Sequence, residues 1–168
     1  MAAIIQKRTC AEIKGPFVLF MIGARINKPW KLGVVLPFLA TMPRMLGELS
    51  AQPELGLLHV RPHFGGLSAM LIQYWRSFEH LEAYARAPDR QRLPAWQWFN
   101  KELGSNGDIG IWHETYLIEP GRYETVYNNM PPFGLGAAGT LVDAVGARQS
   151  AHARMKANAA ALKDPKTA

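Results

Sequence analysis

The run Trp112-His113-Glu114-Thr115-Tyr116 concentrates more proton-transfer chemistry than any other stretch of the chain. An imidazole can take or give a proton near neutral pH, or ligate a metal. A carboxylate beside it can serve as acid or base where burial raises its pKa. The run lies inside Ile109 to Ile118, which reads as a strand. Alternation then puts His113 and Thr115 on one face and Trp112, Glu114 and Tyr116 on the other. A buried, hydrogen-bonded histidine is the plainer reading of His113. Glu114 likewise suits an ion pair with Arg25 or Arg76. Arg25 and Asn27 end an earlier apolar run and can hold a polar or anionic group at a pocket mouth. Asn27 can equally bond the turn that follows it.

Other residues extend this inventory. His80 falls on a helix, away from its apolar Leu81–Tyr84 side, which predicts exposure. His59 and His63 share a strand face unless Pro62 introduces a bulge. His152 sits near the C-terminal end. Tyr74, Trp75, Tyr84, Trp96, Trp98, Phe99, Trp112 and Tyr116 can line a site for a flat apolar ligand, or simply form an aromatic core.

Several familiar chemistries lack their signatures. One cysteine and five scattered histidines give no zinc spacing. Gly134-Leu-Gly136 has no Lys-Ser/Thr ending, so there is no phosphate-binding loop of that type. Neither a dinucleotide fingerprint nor a Gly-x-Ser-x-Gly elbow is present.

The elements that must position these residues follow from periodicity. Phe17 to Ile26 predicts a first strand. Apolar spacing from Trp30 to Ser50 predicts a helix, kinked or broken by Pro37 and Pro43. Leu57 to Phe64 and Leu67 to Arg76 predict two strands joined at Gly65-Gly66. Ser77 is the N-cap of a helix over Phe78 to Arg86. A short helix is expected from Leu93 to Leu103, then the strand at Ile109 to Ile118, then a short strand at Tyr123 to Tyr127. Asn128 to Gly136 reads as irregular. Residues 147–162 suit an exposed helix. The order strand, helix, strand, strand, helix, strand is the split βαβ pattern of ferredoxin-like α+β folds. Its four-stranded antiparallel sheet carries helices on one face and leaves the other apolar. Pairing with a second copy would cover that face.

A chain of 168 residues with 48% hydrophobic and 19% charged residues makes a folded domain rather than a disordered one. The expected organisation is a flexible segment over 1–14, a domain over 15–140 and a basic, partly helical or disordered tail over 141–168. The net charge of +6 gathers in the two ends, and the middle is nearly neutral. That placement argues against a nucleic-acid stripe. With no continuous apolar stretch long enough to span a bilayer, no membrane partner is expected, and cytoplasmic residence is the default.

Phe20 to Trp30, Tyr74-Trp-Arg-Ser-Phe-Glu-His-Leu81, Pro94-Ala-Trp96, Ile111-Trp-His-Glu-Thr-Tyr116 and Asn129-Met-Pro-Pro-Phe-Gly-Leu-Gly136 together resemble a monooxygenase-like family of the dimeric α+β barrel superfamily. That superfamily includes cofactor-free quinone-forming monooxygenases, haem-degrading monooxygenases and haem-containing aldoxime dehydratases. The resemblance implies a homodimer and an aromatic or polycyclic substrate between sheet and helices. Together with the residue chemistry above, the expected catalytic residues are His113, Glu114, Arg25 and Asn27, with Trp75, His80, Trp96, Trp112 and Tyr116 around a ligand or cofactor. Haem is the implied cofactor in part of the superfamily. Tyr74-Trp75-Arg76-Ser77 is similar to the strand-to-helix junction of the haem degraders. Their axial histidine would fall near Arg92 to Pro94, where this chain has none, so His113 or His80 would have to bind iron. A third reading is a binding or assembly module without catalysis.

Overall fold

A computed structural model describes residues 2–86 and 106–160, without the side chains of 41–46 and 48–50. The described residues divide into two compact units, one of residues 20–115 and one built from 1–19 with 116–168.

The first unit is organised by strands β2 (Phe17–Ile26), β3 (Leu57–Gly65), β4 (Ser68–Trp75) and β5 (Ile109–Ile118). Their order across the sheet is β3-β4-β2-β5. With α1 (Leu32–Ala51) between β2 and β3 and α2 (Phe78–Arg86) between β4 and β5, this is the ferredoxin-like α+β fold. Apolar alternation sets which face the helices cover. Ala24 of β2 and Ile109 and Ile111 of β5 pack against Val34 and Phe38 of α1. Trp75 of β4, with no exposed surface, meets Tyr84 of α2 at 5.7 Å between ring centroids. Its indole N–H donates to Gln73 Oε1 at 2.8 Å, so the buried ring leaves no polar atom unpaired.

The helix α1 runs through Pro37 and Pro43 without the expected break. The carbonyl that Pro37 cannot serve belongs to Gly33, an exposed residue in the first turn that water can reach. The bulge in the β3–β4 ladder is also displaced from expectation. The register slips between Leu57 and His59, whereas Pro62 pairs regularly with Leu71. His59, Arg61 and His63 therefore share one face, opposite Tyr74, Ile72 and Met70.

The junction before α1 is closed by a buried carboxylate. Lys28 and Lys31 Nζ lie 2.7 and 2.8 Å from the Asp108 carboxylate, whose side chain is 3% exposed. Their hydrogen bonds hold its pKa below the ordinary aspartate range.

In the second unit the chain ends form structure where mobility is expected from sequence. Strand β1 (Ile5–Glu12) pairs antiparallel with β6 (Tyr127–Met130) on one side and β7 (Thr140–Asp143) on the other. The strand expected over Tyr123 to Tyr127 thus begins at Tyr127 instead. Asn128 to Gly136, read as irregular, contains part of β6 and the first half of a single helical turn, α3 (Leu135–Ala138). Asn129 has a φ of +55°, which asparagine tolerates, close to where the β1–β6 register shifts. Tyr127 Oη accepts the Gly136 N–H at 3.1 Å, and a Cβ on Gly136 would strike Leu141 and Tyr127.

A final helix, α4 (Ala151–Ala160), is not the wholly exposed helix that composition suggests. Arg154 is 4% exposed. It donates to Glu124 at 2.7 Å and to the carbonyls of Arg148 and Gln149 at 3.1 and 2.9 Å. Asn158 donates to the Tyr123 carbonyl, and Arg148 pairs with Glu12. These bonds use two of the cations that make the ends basic, Arg148 and Arg154.

Candidate functional site

His113 sits on β5 two residues beyond Ile111 and four beyond Ile109. Strand alternation thus puts it on the face that α1 covers. Its ring centroid is 5.8 Å from that of Phe20, which alternates onto the same face of β2 as Ala24. The imidazole is exposed rather than buried, unlike the plain structural reading of a core histidine. An exposed imidazole beside an aromatic ring can accept a proton from a flat substrate resting on that ring.

The opposite face of β5 carries Trp112 and Glu114, and Tyr116 continues the row along the strand. The Trp112 indole lies over Gly23, where an added Cβ would come within 2.5 Å of the ring. Glycine at position 23 is therefore what lets the indole lie close on the sheet. Arg25 follows Gly23 by two residues on β2, so it shares this second face, and it is exposed. The four residues assigned catalytic roles are consequently not brought together. His113 belongs to the helix face, and Arg25 and Glu114 to the other.

Asn27 takes its structural role: Nδ2 donates to the Gly107 carbonyl at 3.2 Å, tying β2 to the turn before β5. Trp75 is core. His80 is half-buried rather than exposed, because it works as part of the helix cap. Its Nδ1 lies 2.9 Å from Ser77 Oγ, its backbone N–H donates to that oxygen, and its ring covers Gly56. A Cβ on Gly56 would come within 2.5 Å of that ring. His80 therefore occupies the capping-box position that lacks an acid in the sequence. Trp96 lies outside the described residues.

His59 and His63 are identifiable from sequence only as strand histidines. Their Nε2 atoms are buried and have no hydrogen-bond partner among the described groups. Burial, with Arg61 nearby, lowers the His59 pKa. Alternation on a strand opposite Tyr74 is the signal that could single them out.

Of the residues that the resemblance implies around a haem, Trp75 and His80 are committed to other contacts, whereas His113 is exposed. The Trp75 side chain is fully enclosed and committed to Gln73 and Tyr84. One ring nitrogen of His80 is engaged by Ser77 and its ring is pressed on Gly56.

Residues 17–135 match the model of the "Monooxygenase af470-like" family. The chain belongs to that family. A curated relative, "Monooxygenase af470" of Aspergillus fumigatus, is 30% identical over 158 residues, covering 81% of this chain and 55% of the relative. The chain thus spans about half the length of that relative. Among solved structures, an aldoxime dehydratase in complex with butyraldoxime superposes with a TM-score of 0.57 at 13% identity, over 93% of this chain and 44% of that one. A second aldoxime dehydratase structure gives 0.53 at 14% identity over the same shares. At such identities the likeness establishes the fold. The family match includes Asn129 to Leu135, and in this structure that stretch is spent on seating α3 beside β6. Among the described residues, no helix is long and apolar enough to cross a membrane.

Proposed function

We propose that this member of the monooxygenase family oxidises an aromatic or polycyclic small molecule on the helix side of the ferredoxin-like sheet, with His113 as general base. The observation that carries the reading is the placement of an open imidazole against Phe20 on the strand face that also carries the α1-packed Ile109 and Ile111. Family membership supplies the reaction class. His113 would remove a proton from an activated ring methylene of a hydroxylated polycyclic substrate. The resulting carbanion is itself the reductant. One oxygen atom of dioxygen then enters the ring as a carbonyl and the other leaves as water. The substrate supplies the electrons and loses the two methylene hydrogens. Nothing in this scheme calls for a group the chain does not carry.

The sheet face away from the helices offers Met70, Ile72 and Tyr74, all half-buried in the single chain. We assign this face to a homodimer contact, which light scattering at micromolar concentration would report as twice the chain mass.

Oxygen uptake against a panel of hydroquinones and anthrone-like substrates tests the function. The wild-type protein is expected to turn over at least one of them. His113→Ala and His113→Gln are expected to lower kcat about 100-fold or more, with the far-ultraviolet spectrum unchanged. Silence across the panel would favour a binding module instead, and unaffected turnover in His113→Ala would remove His113 as the base. Haem addition is expected to give no histidine-dependent Soret shift. A shift abolished by His113→Ala would put iron at that position and displace the cofactor-free scheme.

A further inference from the structure

Two imidazoles of β3 share a feature that neither the fold nor the proposed reaction uses. His59 and His63 alternate onto one sheet face with Arg61 between them, opposite Tyr74, Ile72 and Met70 of β4. The His59 and Tyr74 rings stand 6.4 Å apart, centroid to centroid. Both imidazoles are half-buried, and the Nε2 of each is buried without a hydrogen-bond partner among the described groups. A neutral ring leaves one weak polar group unserved there. A protonated ring brings a full charge with an N–H that needs an acceptor or water.

The described residues packed around the pair offer it no acid. β4 opposes the two rings with a phenol and two apolar side chains, and β3 itself adds the Arg61 cation. The single 3-10 turn Pro53–Leu55 also touches β3, but it touches α1 and α2 as well, so its Glu54 belongs to the helix side. Farther across the same face lie Arg25 on β2 and Glu114 on β5. Burial first, and then the Arg61 charge, lower the His59 pKa in the single chain.

This is the sheet face assigned above to the homodimer, and the inference rests on that assignment. We propose that the homodimer is acid-labile, with neutral His59 and His63 as the condition for closing the two sheet faces on each other. In the free chain each ring keeps some exposed surface, so a protonated ring can turn an N–H to water. Under a second copy that outlet is closed. The two states then differ in how readily they accept protons, and that difference makes association depend on pH. The rings bind protons less readily in the dimer than in the free chain. Association is therefore complete above the free-chain value and is lost as pH falls below it. Because the single chain already holds His59 low, the loss begins beneath the ordinary histidine range of about 6.5. Protonation would also add like charges to both faces of a symmetric contact.

Sedimentation equilibrium of the full chain between about pH 8 and about pH 5.5 tests the proposal, with far-ultraviolet spectra of the same samples separating dissociation from unfolding. The wild-type chain is expected to be dimeric at the upper pH. Its dissociation constant is expected to rise about tenfold or more at the lower pH, with the spectrum unchanged. The double variant His59→Phe/His63→Phe removes both titrating rings and leaves no polar atom in their place. Its dissociation constant is expected to move less than about twofold over the same interval. His59→Gln/His63→Gln, which is polar but does not titrate, is expected to behave alike and serves if the phenylalanine pair fails to fold. A wild-type chain equally dimeric at both pH values overturns the proposal and leaves the homodimer standing. A chain monomeric at both overturns the homodimer, and the proposal with it. Tighter association in acid also overturns it, by pointing to an acid of the second copy that meets the charged rings. Acid dissociation that persists in the non-titrating variants assigns the effect to other groups and overturns it as well.

Discussion

In residues 20–115 the sheet is held by apolar side chains that alternate with the strands. Leu71, Trp75, Ala24 and Ile109 are buried on the side that carries the two helices. The unit made of the two ends is held differently. Arg154, Thr9 and Asn158 are as buried as its apolar residues. Side chains there bond to main chain: Thr125 Oγ1 accepts the Ala11 N–H at 2.8 Å, and Tyr123 Oη accepts the Ile13 N–H at 3.1 Å. The first kind of order is non-directional and tolerant of detail. The second depends on each partner being in place, since a buried polar group without one is costly. The difference explains where chemistry is found. Apolar packing leaves β5 free to present His113, whereas the end unit commits its polar groups to holding itself together.

The most severe test of this contrast is Trp75→Ala. Among the described residues it removes the only large side chain with no exposed surface, and it leaves Gln73 buried without its donor. A loss of about 3–5 kcal/mol is expected in urea unfolding. A loss below about 1 kcal/mol would mean that apolar packing is not what orders the first unit.

Arg154→Ala is next. It strands Glu124 and the two carbonyls that the guanidinium serves, and Glu124 is partly exposed, so about 2–3 kcal/mol is expected rather than the full penalty of a deeply buried pair. Hydrogen exchange sharpens the result. Amides of β1, β6 and β7 should lose protection while those of the β3–β4 hairpin keep theirs. Equal loosening of both sheets would erase the distinction drawn between the two units.

The same contrast governs what the sequence makes legible. Phe17–Ile26, Phe78–Arg86 and Ile109–Ile118 are found where periodicity puts them, because burial of an alternating or helical face writes itself into residue type. Strand β1 carries no such pattern. Its sequence Ile-Gln-Lys-Arg-Thr-Cys-Ala-Glu is mostly polar, and its order comes from partners more than a hundred residues away. Arg154 and Arg148 look like tail charges until Glu124 and Glu12 are seen beside them. At the site, alternation correctly separates His113 from Glu114. It also places Arg25 with Glu114 rather than with His113, which grouping by chemical type obscures. His80 shows the converse: its helical position suggests exposure, and only the tertiary approach of Gly56 makes it part of a cap.

The smallest expected effect concerns a charged instance of the polar device within the apolar unit. Asp108 is buried beneath Lys28 and Lys31 at the start of α1. Their hydrogen bonds lower its pKa in the folded chain, so the folded state binds its proton less readily than the unfolded state does. The stabilisation is therefore complete above the ordinary aspartate range and is lost as pH falls through the lowered folded value. Asp108→Asn keeps the shape and removes the charge. The melting temperatures of wild type and variant should differ most near neutrality and converge in strong acid, where the wild-type carboxyl is protonated as well. A gap that stays constant down to strong acid would mean that the turn depends on the shape of the side chain rather than its charge. A gap that widens on acidification would reverse the sign of the argument.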